Sequence, residues 1–447
     1  VSERRLIARH AGTVLVGQMA TMAFGVTDTV VAGRFDQDAL AALSIGAAIF
    51  ISVFVALTGT LQALLPVWAE LHGAGRREAM GRSVRQALYL CAATTAVGAT
   101  LLLSPGPLLA WTEVPPAMRG AVGQYLAVLA AALPAALLFR IYATLNQSIG
   151  RPSFVTWLQV GALAVKVPLS IWLTFGGLGV PALGLMGCAL GTLTVNWLML
   201  AVAVLMLRHR PEYQPYRLWR RPERPDWPQL GAFARLGVPA GLSVMVEVSS
   251  FTFMALFIAR LGSTATAAHQ IASNLTAVAY MVPLSLGLAT SARVGYWMGA
   301  GRPDQARRAC WQGLGMAVLA ALMVAGSLLA LRGTIVQFYT REAAVAHLAA
   351  GLLAACAAYH LADATQTLCI FVLRCFRITV APLLVYCALL WGVGLGGGYW
   401  LAYHGLGPRP AQHSPLAFWI MAAAALGAAA LILLALLRLA VGRAGRR

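Results

Sequence analysis

Four ionisable side chains stand inside long apolar runs of this sequence: Asp28, Lys166, Glu247 and Asp363. The remaining acids lie in polar stretches or at the ends of apolar ones. A charge at the centre of a membrane helix costs about 2.5–3.5 kcal/mol on insertion scales, so such groups pair, face an internal cavity or bind ions. Glu247 lies about 15 residues into its run, roughly 22 Å along a helix, and Asp363 about 10 residues, or roughly 15 Å, from the end of its own. Tyr359 precedes Asp363 by four residues, which puts both on one helical face. Two carboxylates and a phenol at this depth make a cation site, for Na⁺, H⁺ or an organic cation. The plainer alternative is a structural acid pair that shares a proton.

Asp28 and Lys166 fall in the outer halves of the first and fifth apolar runs. Lys166 is the one lysine among 33 basic residues. Its nearer helix end is about ten residues, or roughly 15 Å, away. That is further than a lysine stem reaches by snorkelling, so an ion pair with Asp28 is expected. Asn146 is a candidate for the same cavity, although its depth is closer to the opposite face. His269 and His360 read as hydrogen-bonded packing residues. Gln270, Phe24 and Tyr280 are carried as candidates for a substrate wall; position alone does not separate such aromatics, or Phe251 and Met281, from core or lipid-facing residues.

These residues need elements that hold them at depth. The chain has 447 residues, 60 % hydrophobic and 11 % charged, with a mean hydropathy of +0.76. Soluble proteins average about 45–50 % apolar and about 25 % charged, so an ordinary soluble enzyme and a disordered chain are both excluded. Twelve apolar segments, at 11–33, 43–68, 84–104, 122–143, 154–175, 183–207, 232–258, 269–291, 309–331, 346–373, 380–403 and 415–438, each approach the length of a membrane-spanning helix. The ten-residue alternation of a β-barrel is missing. The fold class is therefore an all-α polytopic membrane protein of twelve transmembrane helices.

The net charge of +19 sits in short loops without interleaved stacking aromatics, which argues for loop placement in a bilayer and against nucleic acid. One set of loops, with both termini, carries 26 Arg; the other carries six, at Arg34, Arg119, Arg260, Arg332, Arg341 and Arg409. The positive-inside rule then puts both termini in the cytoplasm. The seven Cys form no CxxC pair and read as buried small hydrophobes. No cleavable signal peptide is expected before the first span.

The sequence repeats. GRFDQDALAALSIG at 33–46 aligns with ARLGSTATAAHQIA at 259–272, and GAGRREA at 73–79 with GAGRPDQ at 299–305, both at a shift of 226. Six spans per repeat give parallel halves: an N-lobe at 1–207, a cytoplasmic Arg/Pro-rich linker at 208–230 and a C-lobe at 231–447. This is transporter architecture, with a site expected between the halves near mid-membrane. No Walker, HExxH or GxSxG motif occurs. No cofactor is expected beyond a coupling ion, Na⁺ or H⁺, and no metal site other than possible Na⁺ at Glu247 and Asp363. Transport without a nucleotide site draws on a gradient, worth about 2.3 kcal/mol per charge per 100 mV.

Several blocks carry a family resemblance: FGVTDTVVAGR at 24–34, ELHGAGRREA at 70–79, VPAGLSVMVEVSSF at 238–251, AHQIASN at 268–274, MVPLSLGLATSARVGYWMGAGR at 281–302 and YHLADATQTL at 359–368. Together they resemble multidrug and toxic compound extrusion (MATE) transporters of the NorM type over nearly the whole chain. The resemblance implies an inner-membrane antiporter that exports amphipathic organic cations and drugs across the lipid bilayer, and a monomer is expected. It implies a C-lobe cation site at Glu247, Tyr359 and Asp363, a substrate path near Gln270 and an N-lobe acid at Asp28. Lys166 and Ser170, in VKVPLS at 165–170, stand where the NorM-like pattern has Asn. The ammonium is expected to take the coupling cation's place beside Asp28, leaving coupling to Glu247 and Asp363. The first span has Gly12 where relatives carry proline, and YTREAA at 339–344 lacks their frequent Asp. The rival readings are a lipid-linked oligosaccharide flippase of related architecture, which needs a basic cavity, and a membrane-embedded glycosyltransferase, which needs acids at a membrane face.

Overall fold

The computed structural model describes residues 2–106, 116–177, 179–221, 223–405 and 410–444. Arg409, counted above with the outer loops, Arg446 and Arg447 of the basic tail and Pro222 of the linker lie outside the described residues. Among those described, twelve helices are long and apolar enough to cross a membrane. They are α1 Glu3–Phe35, α2 Gln37–Gly73, α3 Arg77–Leu103, α4 Met118–Ser148, α5 Pro152–Phe175, α6 Leu185–His209, α7 Trp227–Ala259, α8 Ser263–Gly299, α9 Pro303–Tyr339, α10 Ala343–Phe376, α11 Val380–Tyr403 and α12 Pro415–Arg443. Most outrun the apolar segments read from sequence. Hydropathy sees only the apolar window, whereas backbone bonds carry a helix on through polar turns. Pro152 and Pro303 sit at helix starts, where a missing N–H costs nothing.

The chain forms two compact units, residues 13–241 and residues 1–12 with 242–447. In the first, Trp68, Met80, Leu133 and Leu137 are fully buried at its centre. Within it, α6 lies hard against α5 because Gly187 and Gly191 carry no side chain. A Cβ on Gly187 would stand 2.5 Å from the Thr174 backbone nitrogen, and one on Gly191 2.7 Å from Ser170 Oγ. Small residues four apart are what let membrane helices approach this closely. Lys166 on α5 and Thr192 on α6 are brought together by that approach.

The stretch expected as a linker is a packed strap on the first unit. Its 3₁₀ turn, Pro211–Tyr216, buries Tyr213 and Tyr216. Arg85 donates to the Arg217 carbonyl at 2.7 Å and pairs with Glu223 at 2.7 Å. Arg82 reaches Glu223 at 3.0 Å.

In the second unit, α8, α9, α10 and α12 surround a core that includes the fully buried Phe418 and Trp419. The start of α1 is anchored in the same unit: Arg293 holds the Glu3 carboxylate with two bonds, at 2.5 and 3.0 Å. Within α11, residues Cys387–Gly396 wind as a π-helix. The two units also display the sequence repeat as geometry. Gly75 (φ 70°) and Gly301 (φ 68°) both take the left-handed conformation, which glycine adopts without a Cβ penalty. The preceding residues, Ala74 and Ala300, both bond back to carbonyls of the finished helix.

Candidate functional site

Three helices of the second unit line a cavity of about 350 Å³. From α7 come Val244, Glu247, Val248 and Phe251, whose three- and four-residue spacing is one helical face. From α8 come Asn274, Ala277, Tyr280 and Met281, and from α10 Tyr359 and Asp363. Pro283 interrupts the hydrogen-bond ladder of α8 two residues past Met281. Both carboxylates singled out by insertion cost therefore face one space.

The two acids are held differently. Asp363 is buried, and its Oδ1 accepts from Gln366 Nε2 at 2.9 Å and from Thr367 Oγ1 at 3.4 Å. Gln366 is held in turn by a short hydrogen bond that its Oε1 accepts from the Tyr386 hydroxyl. Glu247 has no side-chain hydrogen bond among the described residues and turns its carboxylate to the cavity. Arg374, on α10 beyond Asp363, is buried with its guanidinium 4.3 Å over the Phe371 ring, and it acts electrostatically on Glu247. Its Nε and Nη1 make no hydrogen bond among the described residues.

Tyr359 is fixed by aromatic packing. Its ring meets Phe251 edge-on at 5.7 Å and Trp419 at 5.8 Å, and Phe251 meets Trp419 at 6.0 Å. Each such pair contributes about 0.5–1.5 kcal/mol beyond area burial. The Trp419 indole donates to His269 Nδ1 at 3.2 Å, and Ser273 shares a bond with His269 Nε2. His269 is thus a hydrogen-bonded packing residue. His360, expected to be the same, is buried with neither ring nitrogen partnered among the described residues.

Lys166 and Asp28 meet in the first unit. Lys166 is fully buried, and its Nζ donates to both Asp28 oxygens, at 2.7 and 2.9 Å. Thr192 Oγ1 lies 2.5 Å from Nζ, and the Cys188 carbonyl 3.4 Å. Ser170 Oγ stands 3.4 Å from Asp28 Oδ1.

The other candidates fall elsewhere. Asn146 does not join Asp28. Its amide donates to the Tyr142 carbonyl at 2.9 Å, and its oxygen accepts from the Tyr213 hydroxyl at 2.7 Å. The reason is depth: Asn146 sits in the last turn of α4, which runs antiparallel to α1, while Asp28 sits near the far end of α1. Gln270 is exposed and donates to Asn274 at 3.1 Å; Asn274, one turn on, lines the cavity in its stead. Phe24 packs on the first unit's core beside Phe139 and Val155, whereas Tyr280 faces the cavity. The sequence reading missed Gln366, Thr367, Tyr386, Arg374, Thr192 and Trp419. Gln366 and Thr367 carried a signal, being three and four residues beyond Asp363. Tyr386 and Thr192 carried none, because only packing between helices brings them in.

The MatE family model matches this chain twice, at residues 14–172 and 239–400. The chain belongs to the MatE family. Both matches fall one to a repeat. Among curated relatives, a "Probable multidrug resistance protein NorM" of Aromatoleum aromaticum is 37 % identical over 413 residues, 92 % of this chain and 88 % of the relative. "Multidrug resistance protein PmpM" of Pseudomonas aeruginosa is 35 % identical over 401 residues, 89 % of this chain and 84 % of that one. Among solved structures, the eukaryotic MATE transporter AtDTX14 superposes with a TM-score of 0.84 at 19 % identity, covering 99 % of both chains. The Vibrio cholerae MATE transporter VcmN in its bent form gives 0.85 at 17 %, covering 99 % of this chain and 98 % of that one. At those identities the structural likeness speaks for the fold. This MatE chain is a multi-pass membrane protein whose relatives are transporters, so the glycosyltransferase reading falls.

Proposed function

We propose that this chain is a secondary active antiporter that exports amphipathic organic cations and drugs in exchange for Na⁺ or H⁺. The names of its relatives support multidrug export. The single observation that carries the cation reading is the cavity shared by Glu247 and Asp363, with Tyr359 and Tyr280 in its wall. Its carboxylates attract cations, and its aromatic faces suit flat or quaternary ones. Among the described residues its lining offers no base, whereas a diphosphate substrate would need one, which disfavours the flippase alternative.

Substrate and coupling ion compete for the same carboxylates. Entry of Na⁺ or H⁺ from outside weakens the hold on the drug, and the loaded carrier returns inward by alternating access of the two lobes. A ligand shifts such an equilibrium only by its differential affinity for the two states. On this reading the protein works as a monomer in a bacterial inner membrane, and the Arg distribution supports cytoplasmic termini.

Efflux of a fluorescent organic cation from proteoliposomes tests this. Na⁺ and pH gradients are imposed separately on wild type and Asp363→Asn. Export driven by either gradient, lost in the variant, is the expected result and names the ion. If neither gradient moves any of a panel of cations, the reading fails.

A further inference from the structure

We propose that Lys166 is the tethered occupant of an oxygen cage suited to a monovalent cation, so that the carboxylate site of the first unit exchanges no ion. The cage consists of Asp28 Oδ1 and Oδ2, Thr192 Oγ1 and the Cys188 carbonyl, at 2.5 to 3.4 Å from Nζ. All four contacts are oxygens, which is the shell a bare monovalent cation takes up. The cage is consistently polarised. Thr192 accepts from the ammonium and can then turn its own proton to Asp28 Oδ2 at 3.1 Å or to the Cys188 carbonyl at 3.1 Å. Ser170 aims at the remaining lone pairs of Asp28.

Three features make the occupant permanent. The ammonium is covalently attached to the cage wall, so a free ion must displace a partner whose local concentration never falls. Lys166 is wholly buried, and about 14 Å of α5 separates it from the nearer helix end, so the ammonium cannot reach a membrane surface along its own helix. The wall is closely packed, because Gly187 and Gly191 let α6, with Cys188 and Thr192, lie directly against α5. Among the described residues, no lysine or arginine lines the cavity of Glu247 and Asp363. The two units thus carry one acid site of each kind, filled and open. The inference concerns the first unit alone and stands whether or not the transport reading does.

The sole lysine makes the test direct. Wild-type protein is labelled with [¹³Cε]lysine and [methyl-¹³C]methionine, and Na⁺ or a fluorescent organic cation is added with choline as control. Met281, assigned through Met281→Leu, reports on the open cavity. The expected result is a Lys166 signal that stays within its own linewidth at every concentration. A saturable shift of that signal overturns the proposal. If Met281 also stays still, the cavity reading is what fails.

The second arm is Lys166→Ala, which empties the cage. Ammonium chloride is expected to raise its unfolding midpoint above that in choline chloride, and Asp28→Asn placed in the same background to erase the difference. A folded Lys166→Ala that responds equally to both salts overturns the cage. Should Lys166→Ala fold in neither salt, the wild-type lysine signal decides alone.

Discussion

The two halves share a sequence repeat, a turn and a family match each, yet their buried acids are handled in opposite ways. In the first unit Asp28 is neutralised at contact distance by Lys166 and enclosed by Thr192, Ser170 and the Cys188 carbonyl. In the second, Glu247 faces an open cavity of about 350 Å³ and Asp363 is steadied by neutral donors only. A buried acid closed by its own cation is structure. A buried acid left open to a cavity is a place for a mobile one. The insertion cost is met by a contact ion pair in one half; in the other, the buried Arg374 acts on Glu247 only from beyond ion-pair contact, and a ligand can meet the rest.

That contrast breaks most visibly at Lys166. Lys166→Met leaves the buried Asp28 carboxylate without its cation, and breaking a buried pair this way costs about 3–5 kcal/mol. The unfolding midpoint in detergent is expected to fall sharply, and adding Asp28→Asn to restore most of it. A Lys166→Met protein that melts with wild type would show that the pair holds nothing together. On the open side, Glu247→Gln is expected to leave the fold intact and to cut gradient-driven efflux at least about tenfold, equal to about 1.4 kcal/mol of lost binding. An unchanged rate would remove Glu247 from the site.

Gln366→Leu sharpens the account of how Asp363 is steadied. Loss of a hydrogen bond to an ionised partner is worth about 1.5–3 kcal/mol, so the substrate concentration for half-maximal efflux is expected to shift by about tenfold or more. Asp363→Asn would make Gln366→Leu silent if the two act through one carboxylate. The smallest effect is at Tyr213→Phe, which removes the bond to Asn146 and is expected to cost about 1 kcal/mol of stability. Its ion dependence should match wild type. A changed ion dependence would return Asn146 to the ion site.

Much of this was legible in the sequence, for physical reasons. Helix number follows from apolar length, and the pairing of halves from a constant shift of 226 that two separated blocks share. Glu247, Asp363, Asp28 and Lys166 stood out because each breaks an apolar run. Tyr359 followed from its four-residue offset to Asp363. What the sequence did not carry depended on which helix lies beside which. Asn146 shares polarity with Asp28 but sits at the other end of an antiparallel helix. Gln270 is exposed one turn before Asn274 on α8, and Asn274 is the one that lines this cavity. Thr192 and Tyr386 become partners only through helix contacts, and the strap at 211–216 buries tyrosines in a stretch whose composition reads as solvated.

The central claim is that the exchangeable cation site belongs to Glu247 and Asp363. The most direct test is the affinity of purified protein for a fluorescent organic cation, measured against rising Na⁺ and, separately, falling pH. Protonation or Na⁺ binding at the carboxylates competes with the drug, so at least one of the two is expected to weaken wild-type binding. In Asp363→Asn the competition is expected to be weakened, and in Glu247→Gln/Asp363→Asn, which has neither carboxylate, the residual binding is expected to respond to neither. If the double variant retains the wild-type competition in full, the exchangeable cation binds elsewhere and the account is contradicted.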